Sequence, residues 1–134
     1  MSSLVWKTEF CTGIEEMDNQ HKKFLDYLRQ LEEVAGGSKG MEVIEVVLKQ
    51  VDNYIRYHFT EEEKLLKIAG YPELGIQKKD HEFFISQIKE LWEGYLRGDA
   101  HIPVSTLEFL RDWFLRHILE SDKKYGDYLS KVKG

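Results

Sequence analysis

Cysteine and proline are scarce in this chain, and long apolar runs are missing. The single cysteine, Cys11, excludes an intrachain disulfide. It fits a reducing compartment, so a cytoplasmic location is expected. No apolar run approaches the roughly 20 residues needed to span a bilayer, and no membrane partner is expected. The opening stretch MSSLVWKTEF lacks the positive end and apolar segment of a secretory leader. The 19 basic residues, set against 24 acidic ones, form no basic run or stripe, which argues against nucleic acid as a partner. No alternating strand pattern persists either. The two prolines, Pro72 and Pro103, stand where helices could begin. Gly36, Gly37, Gly40, Gly70 and Gly98 look like helix ends.

What the sequence does contain is helical periodicity over 134 residues, enough for a single domain spanning 1–134 with its own core. Four helices are expected, over Asp18–Ala35, Met41–Ala69, Pro72–Arg97 and Pro103–Ser121, with Asp18 or Asn19 capping the first. A short C-terminal helix over Lys123–Lys131 would follow. Residues 1–16 would form an extended N-terminal arm pinned by Trp6. Short connections make successive helices antiparallel neighbours. The expected fold is therefore all-α, an up-down-up-down four-helix bundle.

Residues three and four apart share a helix face. The apolar stripes read Met17, His21, Phe24, Leu28, Leu31 in the first helix and Ile44, Leu48, Val51, Ile55, His58, Glu62, Leu65 in the second. The third reads Leu74, Gln77, His81, Phe84, Ile88, Leu91, Tyr95, and the fourth Leu107, Leu110, Phe114, His117, Ile118, Asp122, Tyr125. Histidine interrupts every stripe. His21 and His81 fall early in their helices, and His58 and His117 fall late. In an antiparallel bundle all four therefore meet at one end, with Glu62. A buried carboxylate without a partner costs several kcal/mol. Imidazoles and carboxylates together suit divalent transition metals, and this many ligands suits two ions better than one tetrahedral zinc. The pair His117 and Asp122 is spaced i,i+5, about 140° apart on an ideal α-helix. Asp122 reaches the same cluster only if its side chain turns back or the helix deforms. Glu61 and Glu63 read as solvated, and His101 as a surface loop residue.

The motifs GIEEMDNQHKKFL (13–25), YHFTEEEKLL (57–66), HEFF (81–84) and WFLRHILESDKKY (113–125) resemble the hemerythrin family, its bacteriohemerythrin branch in particular. The resemblance covers essentially the whole chain. It implies a non-haem di-iron centre, two iron ions with an oxo or hydroxo bridge, that binds dioxygen reversibly for storage, delivery or sensing. By position it implies that His21 and His58 hold the iron that takes oxygen, that His81 and His117 hold the other, and that Glu62 and Asp122 bridge the two. The family pattern has histidine where this chain has Gln77. That residue is expected either to ligate through its amide oxygen or to hydrogen-bond beside the metal. Phe24, Leu115 and Ile118 are candidates to line a dry oxygen pocket. The alternative reading is a di-iron enzyme acting on peroxide or nitric oxide, with Gln77 leaving both irons open. The leading reading is a binding protein rather than an enzyme.

Overall fold

The computed structural model describes residues 6–36, 41–96 and 104–133. Among them no strand forms. A 3-10 turn at Thr8–Phe10 precedes α1 (Glu15–Gly36), α2 (Met41–Ala69), α3 (Leu74–Leu96) and α4 (Val104–His117). α4 continues through a π-helical turn at Ile118–Asp122 into α5 (Lys123–Lys133). His117 and Lys123, which bracket the wide turn, both keep right-handed helical dihedrals. The expected separate C-terminal helix is thus the far half of one continuous rod. His101 and Pro103 lie outside the described residues, as do the side chains of Ile44 and Tyr95.

α1 packs on α2 and α4, and α2 packs on α3. Side chains join α3 to α4, where Trp113 stacks on Phe84 with ring centroids 5.1 Å apart. The interior has two apolar clusters. The larger is built on Phe24, Leu28, Ile55, Phe59, Phe84 and Phe114, and the smaller on Met17, Leu66, Tyr71 and Tyr125. The stripes predict most of this core, but Leu66 is fully buried where they place Leu65, Leu74 and Leu91 are only half-buried, and Leu25 and Phe59 are buried although they lie outside the stripes. Among the described residues, no helix is long and apolar enough to cross a membrane.

The end of α2 follows from one glycine. Gly70 takes φ +69°, a left-handed conformation that costs glycine nothing. Its N–H donates to the Lys67 carbonyl and that of Tyr71 to the Leu66 carbonyl, which is a Schellman cap. The start of α1 departs from expectation. The helix begins at Glu15, so neither Asp18 nor Asn19 caps it. Asp18 is buried inside the first turn, where its Oδ1 accepts from the Thr12 N–H at 2.8 Å and from the Thr12 hydroxyl at 2.9 Å. The carboxylate thereby ties the N-terminal segment to α1. Phe10 is that segment's buried anchor; Trp6, expected to pin it, is half-buried against the Phe10 edge.

The same segment crosses α5 at Gly126. A Cβ there would overlap the backbone carbonyl of Thr12. Gly→Ala within a helix ordinarily gains about 1 kcal/mol. Gly126→Ala should instead lose about 1–3 kcal/mol as the segment is pushed away. Urea unfolding of the metal-free protein checks the sign, and a stabilised variant would refute the close approach.

Candidate metal centre

Between the two apolar clusters lies a layer of polar side chains from every rod. His21 stands one turn beyond Met17 on α1, and His58 and Glu62 stand one turn apart on α2. Gln77 and His81 do the same on α3. His117 closes α4, and Asp122 closes the π turn. All seven are buried, with His21, His58, Glu62 and Asp122 fully so. The wide turn accounts for Asp122. It carries the aspartate back to the His117 side of the rod, where Oδ1 lies 3.2 Å from His117 Nε2. The i,i+5 spacing that disfavours an α-helical pair is the hydrogen-bonding period of a π turn.

Glu62 is the hub. Its Oε1 is 2.9 Å from His81 Nε2, and its Oε2 is 3.3 Å from His21 Nε2 and 3.4 Å from His58 Nε2. Asp122 Oδ2 reaches His21 Nε2 at 3.1 Å. Two ligand groups could each hold an ion, His21–His58–Glu62 and Glu62–His81–His117. Within each, one donor atom per residue lies within 4.8 Å of the others. Seven buried polar atoms here make no well-aligned hydrogen bond, although several lie close to an oppositely charged neighbour: His21 Nδ1, His58 Nε2, Glu62 Oε1, Gln77 Oε1, His81 Nε2, His117 Nε2 and Asp122 Oδ2. Buried polar atoms are rarely left unpaired. Six of these seven belong to the faces the helices turn toward one another, and their nitrogen and oxygen types fit transition-metal cations.

The protonation pattern shows how charge is balanced without a metal. Burial alone would lower His21 and His81. Asp122 and Glu62 outweigh it at His21, and Glu62 and Glu63 outweigh it at His81, so both rise to about 9. Burial prevails at His58, which falls below the ordinary imidazole value. Burial would raise Glu62, yet His58 and His21 draw it well below the usual carboxylate range. Asp122 also falls, to about 2, because His117 and His21 outweigh burial and the nearby Glu62. Imidazolium groups thus occupy a site whose carboxylates stay ionised, and a cation taken up there displaces protons.

A family model described as hemerythrin HHE cation binding domain matches residues 12–129. The chain belongs to the hemerythrin family. Bacteriohemerythrin from Methylococcus capsulatus is 30% identical over 131 residues, spanning 97% of this chain and 99% of its own. Bacteriohemerythrin from Pseudomonas aeruginosa is 33% identical over 127 residues, spanning 95% of this chain and 82% of its own. A crystal structure of wild-type hemerythrin has the same fold, with a TM-score of 0.88 at 28% identity over 94% of this chain and 97% of that one.

Several contacts in this chain are invisible to the stripe pattern. Tyr125 donates its hydroxyl to Glu62 Oε2 at 2.7 Å, and burial pushes its own ionisation well above the usual phenol range. Glu63, expected to be solvated, lies with Oε2 2.7 Å from His81 Nδ1. Gln20 Oε1 lies 2.7 Å from His58 Nδ1. Gln77 donates its amide N–H to Asp122 Oδ1 at 3.2 Å.

Of the expected pocket residues, Phe24 and Ile118 are fully buried and Leu115 is half-buried at the margin of the larger cluster. Phe114 meets both His21 and His58, with ring centroids 5.7 and 6.2 Å away. Phe59 stacks flat on His81 at 3.8 Å, and Trp113 on His117 at 5.1 Å.

Proposed function

We propose that this member of the hemerythrin family is a non-haem di-iron protein that binds dioxygen reversibly. One observation carries the reading: nitrogen and oxygen donors from all four rods, seven of their atoms without a well-aligned hydrogen bond, converge in a buried layer of a hemerythrin-family chain. His21 and His58 would hold one iron, His81 and His117 the other, and Glu62 and Asp122 would bridge them. When bound, a ferrous pair supplies the electrons that reversible uptake of dioxygen draws on. The protein's own part is to fix donors and exclude water. Nδ1–H bonds from His58 to Gln20 and from His81 to Glu63 leave the Nε2 lone pairs free to ligate. The Tyr125 hydroxyl holds the Glu62 carboxylate in place. Phe114 covers the His21 and His58 rings, and with Phe24 and Ile118, which belong to the same apolar cluster, it would keep stray protons out. Leu115 would complete that wall.

The test is metal analysis of anaerobically purified protein, then an absorption spectrum on exposure to oxygen. Close to two irons per chain, with a band that appears in oxygen and fades under vacuum, is the expected result. Substoichiometric metal and no reversible band would overturn it.

A second reading is favoured by the buried, unpartnered Gln77 Oε1. An amide is a weaker donor than imidazole, and a site left open beside it suits turnover of peroxide or nitric oxide. Gln77→His separates the two readings. If turnover is the role, the variant should consume peroxide or nitric oxide several-fold more slowly than wild type. If binding is the role, the variant should show a longer-lived oxygen band and no activity to lose.

A further inference from the structure

The outer nitrogens of the cluster imidazoles are backed unequally. His81 Nδ1 meets the Glu63 carboxylate at 2.7 Å, and His117 Nδ1 meets the Asp80 carboxylate at 3.4 Å. His58 Nδ1 meets only the neutral amide oxygen of Gln20, and His21 Nδ1 has no hydrogen-bond partner. Both carboxylates therefore stand behind one ligand group, Glu62–His81–His117. Gln77, one turn before His81 on α3, belongs to that same side and brings an amide oxygen where stronger donors surround it.

We propose that Glu63 and Asp80 are positioning residues that compensate for the amide of Gln77. This rests on the two-metal reading above. Glu63 accepts the Nδ1 proton of His81, which fixes the tautomer with Nε2 bare, and Asp80 faces the Nδ1 side of His117 as a longer, 3.4 Å charge contact. Each also adds negative charge behind the ring, making Nε2 a stronger donor. The His21–His58 position receives no such support. The two cation positions, alike in imidazole count, are therefore unlike in affinity. The His81–His117 position binds more tightly and fills first when metal is scarce.

Titration of metal-free protein with cobalt(II), followed by its visible absorption, tests this. Wild type should show two binding steps. Glu63→Gln and Asp80→Asn each keep an acceptor oxygen but remove the charge. Each should weaken the tighter step by about 10- to 100-fold and leave the weaker step within about threefold. Adding Gln77→His to Glu63→Gln should restore the tighter step. Circular dichroism of the metal-free variants should show the wild-type helix content. The positioning role is overturned if both steps weaken together, if neither moves, or if Gln77→His rescues nothing. Wild type that takes up no cobalt would overturn the two-metal reading itself. Two normal steps that ignore both substitutions would overturn only the role of Glu63 and Asp80.

Discussion

Glu62→Gln should empty both cation positions at once. Glu62 belongs to both ligand groups, and its two oxygens face His21, His58 and His81 from different sides. The amide has the same shape but no charge, and only one of its ends can ligate. Loss of an outer-sphere partner already costs about 10- to 100-fold in metal affinity. Loss of the shared carboxylate should cost on the order of 100-fold or more at both positions. Metal per chain, measured after overnight dialysis, should fall from near two to a small fraction of one, with the helical circular dichroism unchanged. The amide still offers Tyr125 an acceptor, so the rod carrying α5 stays docked. Retention of full metal by the variant would show that the two positions do not share this residue.

The second large effect concerns the wide turn. On an ideal α-helix each residue advances about 100°, so residues five apart stand about 140° from each other. The π turn at Ile118–Asp122 absorbs the difference and keeps both Asp122 and Tyr125 on the inward side. One alanine inserted after the exposed Glu120 should swing both outward by about 100°. The cluster then loses a carboxylate and the hydroxyl that holds Glu62. The smaller apolar cluster loses a fully buried ring, comparable to large-to-small aromatic substitutions costing about 3–5 kcal/mol. Metal binding and stability should both collapse.

Deleting Glu120 makes the opposite prediction. His117 and the aspartate become i,i+4 partners on an ordinary α-helix, about 40° apart, and the downstream register is kept. Metal content should survive. If the deletion empties the site as thoroughly as the insertion, the turn matters for more than register, and this account of it fails.

These two residues also mark where sequence reading succeeds and stops. Periodicity alone places Glu62 in the core, because α2 is long, regular and ended by a glycine cap. The matched heights of His21, His58, His81 and His117 follow from helix order and antiparallel packing. Asp122 is different. Its spacing contradicts an α-helix, and only the path of the backbone resolves the contradiction. Glu63 and Gln20 were overlooked for another reason. Each sits directly beside an inward-facing residue, about 100° round its own helix, so a stripe assigns it to solvent. In the bundle, that flank faces the next rod. A stripe describes one helix and carries no information about which neighbour covers its edge. Asp18 was misread because a cap and a loop anchor use the same residue type. Only the Thr12 contacts distinguish them.

The wide turn has one more consequence, in the order of synthesis. A nascent polypeptide makes His21 first and Asp122 last among the converging side chains, with most of the chain length between them. No early fragment contains both fully buried carboxylates, Glu62 and Asp122, and none contains imidazoles from every rod. Completion of the full set of converging side chains is therefore a late event, after the last rod has been translated. A truncated product ending before Asp122 would be left with imidazoles and a lone glutamate, a poorer donor set for any divalent cation.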